Sequence, residues 1–248
     1  MGRLPVVFVH GFCQSSAYWQ PACRRLEECG CDGLAIDLPG FAGAADLPGP
    51  YTMEGYADWL AGWLTVRGTG RIVLVGGSMG GVVAQHFVLR HPERVARLLL
   101  VATGAVAGDP AGALQKADAM EAASWDEAAV IPIVAGFFHV PPPPDALARY
   151  RRIALEARQR AAVAAARSNA RSDTVARLVE IGCPTLIIQG RHDRARTPEH
   201  GALMRSRLPH AKLVVLEGSG HTPQLEEPDA FHAAALPFLL AGRNGTLD

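Results

Sequence analysis

The chain has 248 residues, 49% of them hydrophobic, which suits one large α/β domain or two small ones with a sizeable core. Lys plus Arg and Asp plus Glu each number 24, so the formal charge is zero, and no block of like charges offers a nucleic acid or an anionic membrane a surface to bind. No apolar run approaches the roughly 18 residues that a membrane span requires.

The start of the chain, Met1 to Val6, shows no small-residue cleavage signal, and Val6 stands where a myristoylation signal wants Ser or Thr. These features read as a soluble, cytoplasmic protein. Short apolar runs then recur at Pro5–Val9, Gly33–Ile36, Ile72–Val75, Leu98–Val101, Thr185–Ile188 and Leu213–Leu216. Their lack of polar alternation predicts strands buried on both faces, and the helix-length gaps between them predict an α/β fold with a mostly parallel sheet of about six strands flanked by helices. Helices are expected over Thr52–Val66, Met79–Leu89 and Pro228–Leu240.

The alternation breaks once. About 80 residues separate the fourth strand from the fifth, several times the usual connection. The spacing therefore predicts a core made of residues 1–104 and 183–248, with a helical cap or lid and its connecting segments, residues 105–182, inserted before the penultimate strand. One helix is expected from about Asp145 to Ala166, and Pro141-Pro142-Pro143-Pro144 ahead of it reads as a stiff strut. The arginines of this segment are interleaved with acids and read mostly as a solvated face. Trp125, Phe137 and Phe138 stand out there as candidates to line a substrate pocket, with packing of lid on core as the competing role.

Five cysteines, Cys13, Cys23, Cys29, Cys31 and Cys183, are an odd count in a chain long enough to need no staples, and read as reduced thiols. Cys29-Gly30-Cys31 is too tight for a zinc knuckle and has no second pair downstream. Neither a metal nor an organic cofactor is expected.

The chemistry concentrates where the third strand runs into Gly76-Gly77-Ser78-Met79-Gly80 and on into a helix. A strand, Gly-x-Ser-x-Gly and a helix in that order form a nucleophile elbow, with Ser78 exposed at its tip. A serine hydroxyl needs a base, and the base needs an acid to fix its tautomer. Of nine histidines, His221 lies in the glycine-flanked loop after the last strand. Asp193 lies a few residues beyond the preceding strand, at the same carboxyl edge; Asp109, six residues beyond Thr103, is the competing acid. The developing oxyanion needs two donors, and the backbone N–H groups of Phe12 and Met79 are the candidates. His10 reads as a holder of the Phe12 loop rather than a second base.

Taken together these segments resemble the α/β-hydrolase fold superfamily over essentially the whole chain. The match extends to His10-Gly11-Phe12, Asp37-Leu38-Pro39-Gly40-Phe41, Cys183-Pro184-Thr185-Leu186-Ile187 and Gly220-His221 followed by Glu227-Pro228. The resemblance implies a triad of Ser78, Asp193 and His221, oxyanion donors at Phe12 and Met79, and a cap formed by the insertion. It departs from the fuller pattern in lacking the first two antiparallel strands. Ser168–Leu178 and Cys183–Ile188 are similar to enol-lactonases and small carboxylesterases, whereas His10–Trp19 is similar to menaquinone-pathway hydrolase-like lyases. The expected activity is hydrolysis of a small or medium ester or lactone through an acyl-enzyme. The alternatives are a lyase, C–C cleavage or cyclisation with His221 as base, or a binding protein or receptor that retains the triad.

Overall fold

The computed structural model describes residues 4–241; Met1 to Arg3, on which the reading of the N-terminus partly rests, and the last seven positions of the expected core lie outside them. Six strands among the described residues form one sheet: β1 (Val6–Val9), β2 (Gly33–Ile36), β3 (Ile72–Gly77), β4 (Val95–Val101), β5 (Thr185–Gly190) and β6 (Ala211–Leu216). Their order is β2-β1-β3-β4-β5-β6, and every neighbouring pair is parallel. The sheet is thus wholly parallel among the described residues, where the sequence suggested mostly parallel.

Among the described residues ten α-helices connect and extend these strands: α1 (Gln20–Glu28), α2 (Met53–Val66), α3 (Met79–Arg90), α4 (Pro110–Ala122), α5 (Glu127–Ala135), α6 (Pro144–Leu155), α7 (Gln159–Arg171), α8 (Pro198–Arg207), α9 (Pro223–Glu226) and α10 (Pro228–Leu239). The pleat sorts the strands' side chains between two layers. Val7, Val9, Leu74, Leu98, Leu100 and Ile187 join the apolar faces of α2 and α3, while Val6, Phe8, Val73, Val75, Leu99 and Ile188 join α1 and α10. The edge strands β2 and β6 are half-exposed along most of their length, so burial on both faces holds only for the inner four.

Between β4 and β5 the chain forms α4 to α7, and the buried residues Val130, Val134 and Ile153 of these helices, with Phe137 in the turn after α5, belong to the same apolar cluster as the sheet. The single helix expected over Asp145–Ala166 is two. The break falls at Glu156-Ala157-Arg158, where the Arg158 N–H donates to the Gly40 carbonyl at 2.9 Å and Ala157 is buried. Tertiary contact overrides a run of good helix formers there. Pro143 is extended (φ −50°, ψ 149°) and Pro144 opens α6, as a strut leading into a first turn would.

Candidate active site

The order of the sheet reverses between β1 and β3, the switch point beside whose carboxyl ends open α/β sheets bind their ligands. Ser78 stands there between β3 and α3, with a backbone (φ 51°, ψ −118°) that L-residues rarely adopt. The turn closes because its flanks carry no side chains: a Cβ on Gly80 would run into the carbonyl oxygens of Val9 and His10, and one on Gly76 into Gly80. Further bonds fix the elbow. The Ser78 N–H donates to Val101 O at 2.9 Å, and Thr103 Oγ1 donates to Ser78 O at 2.6 Å.

His221 Nε2 lies 2.8 Å from Ser78 Oγ, and His221 Nδ1 lies 2.7 Å from Asp193 Oδ2. The carboxylate can only accept from Nδ1–H, which leaves Nε2 to accept the serine proton. Asp193 is buried and its other oxygen accepts from the N–H groups of Ala195 and Arg196, at 2.8 and 2.9 Å. Asp109 is elsewhere: it caps α4 by accepting from the Gly112 N–H at 2.9 Å.

The loop after β1 passes beside the nucleophile, since a Cβ on Gly11 would lie 3.1 Å from Ser78 Cβ. Phe12 follows on this loop and Met79 opens α3, and among the described residues neither backbone N–H donates to a protein acceptor. His10 is buried beneath them. Its Nε2 accepts from the Leu38 N–H at 3.0 Å and its Nδ1–H donates to Gly11 O at 2.7 Å, so both ring nitrogens are committed to loop structure. Burial holds its pKa below 6.5, against the Gly11 carbonyl and Asp37, which raise it.

Of the three aromatic candidates, Phe137 is buried and faces the His221 ring, while Phe138 packs on Phe137 and Tyr150. Trp125 is half-buried against the same apolar cluster. Sequence reasoning missed Glu226, whose carboxylate brackets His221. Its Oε2 accepts from Gly220 N at 3.0 Å, Thr222 N at 3.1 Å and Thr222 Oγ1 at 3.2 Å, and its Oε1 accepts from His139 N of the insertion at 2.6 Å. It also missed the stacked imidazoles of His139 and His192, 3.8 Å between centroids, which join the insertion to the Asp193 loop. The two-acid run Glu226-Glu227 beside His221 was the only signal for the first. Among the described residues, no group of three or more His, Cys, Asp or Glu is arranged to hold a metal ion, and no helix is long and apolar enough to cross a membrane.

A parallel sheet with an elbow serine, a histidine and a buried aspartate meeting at its carboxyl edge defines the α/β hydrolases. The chain belongs to the alpha/beta hydrolase family, whose model matches residues 6–234. It is 30% identical over 227 residues to a pimeloyl-[acyl-carrier protein] methyl ester esterase of Neisseria meningitidis serogroup A, covering 86% of this chain and 69% of that protein. It is 29% identical over 252 residues to the polyketide synthase ThaQ of Burkholderia thailandensis, covering 96% of this chain but only 12% of that far longer protein. Among solved structures, a thermophilic esterase from Thermogutta terrifontis superposes with a TM-score of 0.85 at 32% identity, covering 96% of this chain and 90% of that one.

Proposed function

We propose that the chain hydrolyses a small or medium carboxylic ester or lactone through an acyl-enzyme on Ser78, with no cofactor. The observation that carries this reading is the unbroken hydrogen-bond chain from Ser78 through His221 to Asp193. In the first half-reaction Ser78 Oγ attacks the ester carbonyl carbon while His221 Nε2 takes the hydroxyl proton. The carbonyl electron pair moves onto oxygen, where the Phe12 and Met79 N–H groups receive it. Collapse of the tetrahedral adduct breaks the bond to the alkoxy oxygen, which leaves with the proton from His221. Water then repeats the sequence on the acyl-serine, and Asp193 stays ionised throughout. In this reading residues 105–182 act as the cap. Similarity at 30% or more to proteins named as esterases supports an ester as substrate.

The test is turnover of a series of p-nitrophenyl esters. Ser78→Ala should lower kcat by about a thousandfold or more, and Asp193→Asn nearly as severely, with effects that do not add because the three groups act as a unit. Asp109→Asn should stay near wild type. A Ser78→Ala protein that keeps a tenth of the wild-type rate, or a severe loss in Asp109→Asn with a mild one in Asp193→Asn, would overturn the assignment.

A further inference from the structure

Arg196 is buried, with 7% of its surface exposed, a state that arginine takes only with partners. Its Nη1–H donates to the Val106 carbonyl at 2.8 Å, and its Nη2 reaches Asn169 Oδ1 on α7 at 3.5 Å. Val106 lies where the insertion leaves the core, and Asn169 lies in the last turn of α7, just before the chain returns to it. Val106 pairs with Asp173 in an antiparallel bridge, and the Thr174 N–H donates to Ala105 O at 2.9 Å. On the opposite side, Arg196 is joined to the acid loop by its own N–H, which donates to Asp193 Oδ1. Burial pulls the guanidinium's pKa below its ordinary value, and the Asp193 carboxylate opposes that pull. The group keeps its charge nonetheless.

We propose that Arg196 is a positioning residue that ties the outgoing connector of the insertion and the last turn of α7 to the loop of Asp193, so that the seating of the insertion and the placement of the acid are set by one side chain. The inference rests on the triad reading above. Asp193 Oδ1 accepts from the Arg196 backbone N–H, so a side chain that loses Val106 and Asn169 releases the backbone that holds the carboxylate against His221.

The experiment measures the rate of Ser78 labelling by a fluorophosphonate, which reads the alignment of the triad whatever the natural ester is, with amide hydrogen exchange at residues 105–107 and 172–175. Arg196→Met should slow labelling by about tenfold or more and speed exchange in both connectors, since the acid loop loses its tie to the insertion. Arg196→Lys can reach the Val106 carbonyl but lacks the fork that spans to Asn169, so it should restore part of the labelling rate. Should Arg196→Met not fold, Arg196→Gln, with one amide in place of the fork, carries the same expectation as Arg196→Met. A labelling rate within twofold of wild type in the neutral variant, exchange unchanged in both connectors, or no recovery in Arg196→Lys overturns the proposal. Ser78→Ala, run in parallel, separates the two levels: labelling of that variant would sink the triad reading itself.

Discussion

The ring of Phe137 lies over the imidazole of His221, with centroids 6.3 Å apart and planes inclined by 24°. Its backbone carbonyl also accepts from Thr222 Oγ1 at 3.0 Å, so the insertion touches the histidine loop twice within one residue. Phe137 therefore packs the insertion onto the histidine loop, and in the proposed reading the same ring walls the site. Phe137→Ala should cost about 3 kcal/mol of stability, because a buried aromatic leaves a cavity that the sheet cannot fill, and should lower kcat as well. Phe138→Ala, at a half-buried ring against Tyr150, should cost less and change the ranking of short against long acyl chains. Melting curves and an acyl-chain series on both variants check this. Unchanged stability in the first, or an unchanged ranking in the second, would count against it.

Ser78 holds a left-handed backbone with a side chain attached, a strain of order 1–3 kcal/mol. Glycine adopts that conformation without penalty but loses more chain entropy on folding, by roughly 0.5–1 kcal/mol. Relief of the strain outweighs that entropy loss. Ser78→Gly should therefore melt above Ser78→Ala, with both inactive. Equal melting temperatures would mean that the turn stores little energy.

The three residues of the proposed triad were legible because each follows an apolar strand within a few residues, and β3, β5 and β6 announce themselves by composition. Arg196 was not. The acid loop carries Arg191, Arg194 and Arg196, and a loop has no periodicity to separate an arginine that pairs with Glu217 at the surface, as Arg191 does, from one that is buried. Glu226 was hidden similarly, since Glu227 beside it is an equally good candidate and instead accepts from the Gly218 N–H at 2.9 Å. Which acid turns toward His221 is decided by the single turn of α9, four residues too short for a pattern. The break between α6 and α7 depends on Gly40, over a hundred residues away, and local propensity cannot report it.

Stability should fall as the medium is acidified from pH 7.5 to 5.5. His10 is buried with its folded-state pKa held below 6.5, and burial lowers His86, His200 and His232 in the same direction. The unfolded chain thus takes up protons first. The contribution of each histidine is complete above about pH 6.5 and is lost as the pH drops from there toward the folded-state pKa. His10→Asn should be less stable at pH 7.5, because it loses the bridge from Leu38 N to Gly11 O. Its stability should also decline less steeply, by up to about 1.4 kcal/mol per pH unit, the slope of one proton. Denaturant midpoints at several pH values measure both, and parallel curves for the two proteins would show that His10 is not a source of the slope.

Glu226 divides its oxygens between two tasks, and two substitutions separate them. Oε2 accepts from the backbone on both sides of His221 and from the Thr222 hydroxyl, whereas Oε1 accepts from the His139 N–H of the insertion. A glutamine can turn its oxygen to the first set, but must then present its NH2 to another donor at His139. Glu226→Gln should accordingly keep kcat within a few fold and weaken only the hold on the insertion. Glu226→Ala removes both, and the donors of Gly220 and Thr222 lose the acceptor that aligns them. Because an ångström of misplacement at a catalytic base can cost a hundredfold, kcat in the alanine variant should fall by about tenfold or more. KM should change less than kcat, since Glu226 acts on the base rather than on the substrate. Steady-state kinetics on one aryl ester suffices, and equal kcat values for the two variants would assign Glu226 to closure of the insertion alone.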